Sequence, residues 1–350
     1  MNSQICNKDI TLANMNVWFG LDCRGIVKFG EYESSKIRAA RFKNLTNGFK
    51  DLQPDVMGIQ EANPLPEYVR KLSNALGYEA VWKVTNSGIK LMGFGIPRNF
   101  TAGNAILAQK GHRLKYLGRR RLSGMGLQTK YLSMHFRELR DVIAARVNIR
   151  GHSLIVFNTQ IHYSVIWNTT WQKSLTVMIE NYDIPPKAKE NLLESIKKSN
   201  RRRQQEISRL IDFVKDITQK YKYPYVIMGD FNATAGSSEM AELVAELALL
   251  DTYAVKHPHK IGFTWDPGNN TNTGYDASPF WANGITPRDP LNEIEAHFDR
   301  EMARRIDFIF LSYQFDPNMI KEADLIFTRP TNGLFASDHF GLQVVLKQLP

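Results

Sequence analysis

The sequence predicts a layered α/β or α+β domain, because short strand-like runs alternate with a few amphipathic helical segments. The predicted strands are rich in Val, Ile or Phe and comprise Ile10–Trp18, Val56–Ile59, Leu154–Asn158, Tyr225–Met228, Ile306–Leu311 and Gly341–Leu346. Apolar residues recur at helical spacing in Lys36–Leu52 and Arg202–Lys220, and a proline follows each segment, as expected where a helix ends. These helices are too few for a regular βαβ repeat.

The length and composition favour one globular domain. The chain has 350 residues, of which 43% are hydrophobic and 23% are charged. We expect a single domain over residues 1–350, with an insertion at about 166–203 that contains Trp167, Trp171 and a basic run. The net charge of +10 favours acidic partners, namely nucleic acid, an anionic membrane or phosphorylated small molecules.

The cysteine content and the N-terminal sequence bear on location. Cys6 and Cys23 are too few for a disulfide framework or a zinc cluster, so we expect a reducing compartment. The N-terminus lacks the basic and apolar regions of a signal peptide, and no run reaches the ~18 apolar residues of a membrane span. The sequence therefore predicts a cytoplasmic protein without a transmembrane segment.

Polar motifs flank the predicted strands. They are Asn16, Gln60-Glu61, Asn158-Thr159-Gln160-Ile161-His162, Gly229-Asp230-Phe231-Asn232, Arg305-Ile306-Asp307-Phe308 and Ser337-Asp338-His339. Taken singly, a carboxylate at a strand end is more often a turn former or a helix cap than a catalytic group. Together, four carboxylates, two asparagines and a histidine from these motifs predict a site where the strands leave the core, and they are Glu61, Asp230, Asp307, Asp338, Asn16, Asn232 and His339.

The residue types in these motifs suit phosphate-ester hydrolysis. A hard cation such as Mg²⁺ prefers oxygen ligands, and Glu61 and Asp338 can supply them. Either Asp230 or a carboxylate-supported His339 has the chemistry to orient and deprotonate water. The sequence has no Cys/His cluster for structural zinc and no glycine-rich loop of the kind that binds nucleoside triphosphates.

The order and content of the motifs resemble the endonuclease/exonuclease/phosphatase superfamily from about residue 10 to residue 346. The most specific marks are Gly229-Asp230-Phe231-Asn232 and Ser337-Asp338-His339. The resemblance implies a DNase I-like four-layer α/β sandwich, in which two mixed β-sheets pack face to face with helices outside. It also implies a metal-dependent phosphoric ester hydrolase that uses Mg²⁺, with Mn²⁺ or Ca²⁺ as alternatives.

The resemblance implies a role for each motif residue. Glu61 would be the main metal ligand, Asn16 would help to order the metal site, and Asp338 would hold a second or shared metal position. Asp307 would pair with His339 in a dyad. Asp230 would orient or deprotonate the nucleophile, and Asn232 would contact the phosphoryl group.

One position departs from the family pattern, which often reads Asn-Thr-His-Leu after the central strand. The matched residue here is Gln160, and His162 lies two positions further on. Residues two apart face the same side of an extended strand. We therefore expect either His162 or Gln160 to act near the leaving group.

Local features bear on the substrate. Asp251-Thr252-Tyr253 and the segment around Trp265 resemble neutral sphingomyelinases, which favours a phosphodiesterase on a phospholipid head group with peripheral membrane contact. Basic stretches at Lys110–Lys130 and at Arg201, Arg202 and Arg203 favour a nuclease, because Lys and Arg bind phosphates. A phosphatase of small molecules and a catalytically idle binding module are further alternatives. We expect Trp265 and the three arginines to contact substrate.

Overall fold

The computed structural model describes residues 9–21, 32–92, 94–96, 100–128, 132–163, 186–276 and 302–350, together with positions 169, 173 and 177. Trp167 and Trp171, in the expected insertion, lie outside these residues. Among the described residues, no helix is both long enough and apolar enough to cross a membrane.

The strands form two mixed sheets. Their bounds are β1 (Ile10–Asn16), β2 (Val56–Ala62), β3 (Tyr78–Asn86), β4 (Ile89–Leu91), β5 (Phe94–Ile96), β6 (Ala102–Gln109), β7 (Lys115–Gln128), β8 (Leu132–Ile149), β9 (His152–Gln160), β10 (Tyr225–Asp230), β11 (Leu250–Asp251), β12 (Asp307–Leu311), β13 (Ile320–Ile326) and β14 (Gly341–Leu346). The first sheet is six-stranded, in the order β13-β14-β1-β2-β6-β3. The second is eight-stranded, in the order β11-β12-β10-β9-β8-β4-β5, with β7 paired to β8.

Helices cover the outer faces of both sheets. They are α1 (Ser35–Leu52), α2 (Glu67–Leu76), α3 (Pro186–Tyr221), α4 (Ser238–Leu247) and α5 (Thr252–Lys256). Leu45 and Phe49 of α1 pack with α2 on the first sheet, whereas Ile207 and Leu210 of α3 pack with α4 on the second. Side chains such as Val156 fill the space between the two sheets. The predicted four-layer sandwich is confirmed.

Each predicted strand and helix has a counterpart, but one helix is longer than expected. The predicted helix at Arg202–Lys220 begins at Pro186 in the structure, so residues 186–203 of the expected insertion are the first half of α3. A proline fits the first turn of a helix, where its missing N–H is not needed. Pro186 therefore begins the helix.

Strand register gathers the polar motifs at one edge of the sandwich. In the first sheet β1 runs parallel to β2, with Asn16 opposite Gln60. In the second sheet Asp230 lies opposite both Gln160 and Asp307. A shift of one residue would turn each of these side chains to the other face of its sheet. The register thus decides which polar groups can meet.

Gly229 allows close strand packing directly before Asp230. A Cβ atom placed there would lie 2.2 Å from the backbone oxygen of Thr159 on the neighbouring strand. We expect Gly229→Ala to lower the free energy of unfolding by about 1–3 kcal/mol, the usual range for overpacking. Denaturant unfolding measures this loss. Gly236→Ala is the matched control, because no atom lies within 4 Å of its added Cβ; equal stability of the two variants would contradict the packing argument.

Candidate active site

Two side-chain amides hold the carboxylates of Glu61 and Asp230 together. Asn16 Nδ2 donates to Glu61 Oε1 at 3.0 Å and to Asp230 Oδ2 at 3.1 Å. Gln160 Nε2 donates to the same two oxygens, at 2.5 and 3.3 Å. Because amides are neutral, they bring the carboxylates together without offsetting their charge. Gln160 thus occupies a place in the cluster, at the position where the family often has histidine.

Asp307 and His339 form a hydrogen-bonded pair. His339 Nδ1 lies 2.8 Å from Asp307 Oδ2, and both side chains are buried. Thr264 Oγ1 accepts a hydrogen bond from the backbone N–H of Asp307 at 3.1 Å, which anchors the start of β12. The Trp265 ring packs edge-on against the imidazole with ring centroids 5.2 Å apart. The other imidazole nitrogen, Nε2, faces the cluster and lies 3.5 Å from Asn16 Nδ2.

The cluster is electrostatically strained by its own burial. Burial raises the pKa of the Glu61 carboxyl, and repulsion from Asp338 raises it further. Burial and repulsion from Asp307 raise the pKa of Asp230 to about 6. Burial also raises the pKa of Asp338. For His339, burial opposes the charged form, but Asp307, Asp338 and Asp230 raise the pKa of the imidazole well above its usual value.

The loop that carries Asn232 is fixed by its own side chain and by Arg203. Asn232 adopts a left-handed backbone conformation, with φ of 48°, which asparagine tolerates well. Its Nδ2 donates to Asp230 Oδ2 and to Ile161 O, at 3.1 and 3.0 Å. Arg203 Nη1 donates to Asn232 O at 2.8 Å, and its Nε donates to Glu239 Oε1 at 2.5 Å.

The predicted basic run therefore does not form one exposed surface. Of the three arginines, Arg203 is buried against the Asn232 loop and only Arg201 is exposed. Arg202 is half-buried: its Nε donates to Ser123 Oγ and Glu206 Oε1, and its Nη2 donates to Glu138 O at 2.6 Å. Helical geometry explains the difference, because consecutive residues on α3 point about 100° apart.

Trp265 and His162, which we expected near the substrate, both contact other residues of the protein. Trp265 is buried against His339. The His162 backbone N–H donates to Glu206 Oε2 at 2.6 Å, and its Nδ1 lies 3.6 Å from Glu138 Oε2, an ion-pair distance. Burial lowers the pKa of His162, and the Glu138 carboxylate opposes this effect. Of the two candidates, Gln160 donates hydrogen bonds to Glu61 and Asp230, whereas His162 joins a neighbouring charged cluster.

Two residues that support the site carry no sequence motif. Arg140 is buried and pairs with Glu138 at 2.7 Å, and its Nε has no hydrogen-bond partner among the described residues. The charge of Arg140 also interacts with the carboxylates of Glu61 and Asp230. Asn270 Nδ2 donates to the backbone oxygens of Ser337 and Asp338, at 3.0 Å each. Both residues lie in segments where we predicted no element, so no local pattern identified them.

The donor set fits a divalent cation. Asp230, Asp307 and His339 offer ligand atoms within 4.8 Å of one another, and Asp307 Oδ1 is buried without a hydrogen-bond partner among the described residues. Asp338, which is buried, and Glu61, which is half-buried, add two further carboxylates that repel each other. A cation would offset this repulsion, and carboxylate oxygens are the ligands that Mg²⁺ prefers.

The profile of the Endonuclease/Exonuclease/phosphatase family matches residues 13–339. The chain belongs to this family, whose members are generally phosphoric ester hydrolases. No curated protein sequence matches the chain significantly.

Solved structures share the fold. An endonuclease/exonuclease/phosphatase from Bacteroides vulgatus is 17% identical, with 98% of this chain and 100% of that chain covered and a TM-score of 0.56. A mannosyl-6-phosphatase from Bacteroides thetaiotaomicron is 15% identical, with coverage of 96% and 99% and a TM-score of 0.54. D. rerio TDP2, complexed with single-strand DNA product, is 18% identical, with coverage of 97% and 98% and a TM-score of 0.50.

The Asp307–His339 pair should behave as one unit in kinetics. Groups that act together give non-additive losses when they are removed singly and in combination. We expect His339→Ala to lower kcat by about 10²–10⁴-fold, the range of general acid–base catalysis, and Asp307→Ala to add little to it. Steady-state turnover of a small phosphodiester measures both effects. Multiplicative losses in the double variant would show that the two residues act independently.

Arg203 should support the site by positioning the Asn232 loop. We expect Arg203→Gln to lower both kcat and the free energy of unfolding, because it leaves Glu239 buried without its ionic partner. Arg201→Gln is the matched control, since it removes an exposed charge from the same run. Turnover of a small substrate and thermal unfolding measure the two outcomes. Equal effects of the two substitutions would contradict the positioning role.

Proposed function

We propose that the chain is a divalent-metal-dependent phosphodiesterase that hydrolyses a P–O bond with an activated water molecule. The observation that carries this proposal is the buried cluster at the strand edge. Four carboxylates and one imidazole converge there, held by two bridging amides, and they are Glu61, Asp230, Asp307, Asp338 and His339.

We assign the metal position to the carboxylates of Glu61 and Asp338, with Asp230 and Asp307 beside them. Asn16 orders this position, because its amide fixes the orientation of Glu61. When bound, a divalent cation polarises the phosphoryl group and stabilises negative charge that develops on the leaving oxygen. Mg²⁺ is our first choice, and Mn²⁺ and Ca²⁺ suit the same oxygen ligands.

Hydrogen-bond geometry favours His339 Nε2 as the atom that moves a proton. Asp307 is hydrogen-bonded to Nδ1, and this bond orients the ring so that Nε2 faces the cluster. Asp230 already accepts four hydrogen bonds. One comes from the backbone N–H of Asn232, and three come from the side-chain amides of Asn16, Gln160 and Asn232. This leaves the Asp230 carboxylate little capacity for a water proton, so we give it an orienting role.

The substrate class follows less directly from the catalytic groups. The cluster recognises a phosphate ester, and the relatives of known structure include a mannosyl-6-phosphatase and a protein solved with a DNA product. We favour a diester because the segment around Trp265, with its resemblance to neutral sphingomyelinases, packs directly on the catalytic imidazole. A phospholipid head group is the preferred substrate of this proposal, and a nucleic acid is the alternative.

The role of Glu61 gives the direct test. We expect chelation to abolish turnover of bis(p-nitrophenyl) phosphate, and Mg²⁺ or Mn²⁺ to restore it. Glu61→Gln should lower kcat by at least about 10²-fold at limiting metal, because it removes a charged ligand while keeping the shape of the side chain. The measurement is turnover against metal concentration, with sphingomyelin, phosphatidylcholine, single-stranded DNA and a phosphomonoester as further substrates.

Glu67→Gln is the matched control for Glu61→Gln. Glu67 is an exposed carboxylate in the first turn of α2, outside the cluster. We expect this variant to retain full activity and the metal dependence of the unmodified chain. Full activity of Glu61→Gln at limiting metal, or turnover that is insensitive to chelation, would overturn the proposal.

A further inference from the structure

Strands β4, β7 and β8 form an extension beyond the edge of the second sheet where the catalytic cluster lies. β8 pairs with β9 only as far as Val142 and Thr159, one residue before Gln160. From there β8 continues to Leu132, with β7 paired on one side and β4 on the other. The extension therefore projects from the same end of the sandwich as the catalytic residues.

The extension carries a row of exposed aliphatic side chains. Leu127 of β7 pairs with Met134 of β8, and the β4–β8 register places Ile89 opposite Met134 on the other side. Opposed residues of antiparallel strands point to the same face of the sheet. Ile89, Met134 and Leu127 are 62%, 41% and 52% exposed. Three adjacent strands thus present one aliphatic row to solvent.

Further exposed side chains lie beside this row, on β4, on β7 and at the turn after β4. The exposed set, which we call the aliphatic platform, comprises Ile89, Leu91, Met92, Met125, Leu127 and Met134. Ser133, which points to the other face, is buried, and its Oγ lies within hydrogen-bonding distance of Ser87 O and Gly88 O. Exposed apolar patches of this kind usually mark an interaction surface.

The sequence around the platform is strongly basic. Residues 80–137 contain eleven Lys or Arg and no Asp or Glu. Acidic groups from other segments offset part of this charge, because Arg119 and Arg121 pair with Asp141, and Arg120 pairs with Asp216. Within the extension, Lys90 lies on β4 and Arg137 on β8, so a partner that covers the platform should be negatively charged.

We propose that the aliphatic platform docks on an anionic phospholipid surface. Aliphatic side chains flanked by Lys and Arg match the two parts of such a surface, the acyl boundary and the charged head groups. Docking would turn the catalytic edge toward phospholipid head groups. That consequence rests on the proposed function, whereas docking itself does not.

Vesicle binding by the full chain tests the proposal. We expect the chain to sediment with phosphatidylcholine vesicles that contain phosphatidylserine, and to bind them more weakly as salt is raised. Leu127→Gln/Met134→Gln should bind on the order of 10-fold or more weakly, because the two side chains no longer gain from leaving water. Leu91→Gln/Met92→Gln should show the same loss, which protects the test if one variant fails to fold.

Tyr313→Ser is the matched control. Tyr313 is an exposed apolar residue that follows the end of β12 remote from Asp307, and its variant should bind vesicles as the unmodified chain does. Platform variants that bind as tightly as this control, or an unmodified chain that ignores anionic vesicles, would overturn the proposal. Platform variants that lose single-stranded DNA binding but keep vesicle binding would identify a nucleic-acid surface instead.

The same variants separate this inference from the proposed function. All platform variants should turn over bis(p-nitrophenyl) phosphate normally, since none of the catalytic residues is altered. Turnover of the small diester without vesicle binding would refute docking and leave the phosphodiesterase proposal intact. Vesicle binding by a chain that turns over no diester in any metal would refute the phosphodiesterase proposal and leave docking intact.

Discussion

A buried network of amides between the two sheets fixes the geometry on which the rest of the site depends. Gln60 Nε2 donates to Asn14 Oδ1 at 2.8 Å and to Asn158 Oδ1 at 2.5 Å, and thereby joins the two sheets. Asn158 Nδ2 donates in turn to Ile59 O and Ala105 O. Unpaired amides in an apolar interior are costly, so a slipped register would break several bonds at once. The network lies one or two residues before the polar groups of the candidate site, on the same strands.

Sequence patterns identified strands that are apolar on both faces more readily than strands that are polar on one. The predicted strands at Val56–Ile59 and Tyr225–Met228 are central and buried, so nearly every residue in them is apolar. β7 and β8 were not predicted, because their outer ends carry charged and exposed residues that obscure the alternation. The basic stretch at Lys110–Lys130 is mostly β7, a strand whose arginines pair with acidic groups of other elements.

The site was predictable where a residue belongs to a local motif and unpredictable where its role depends on folding. Motif order indicated the residues that meet at the edge, including the Asp307–His339 pair. Helical rotation, which separates Arg201 from Arg203, cannot be seen in a run of like charges until the helix is placed. Arg140 lacked any local signal, since its contacts come from distant parts of the chain.

The carboxylates of the candidate site oppose folding at neutral pH, because burial raises their pKa values. Burial raises the pKa of Asp230 to about 6, above the ordinary value of roughly 3.9 for an aspartate in an unfolded chain. Such a group binds its proton more tightly in the folded state than in the unfolded state. Its ionisation therefore lowers the free energy of unfolding as pH rises from about 4, and the loss is complete above about 6. Glu61 and Asp338 act in the same direction. His339 acts in the opposite direction, because the same carboxylates raise its pKa and so stabilise its charged form in the folded state. At neutral pH His339 and the apolar layers together offset the cost of the buried carboxylates, which is a recurrent trade-off between activity and stability in enzymes.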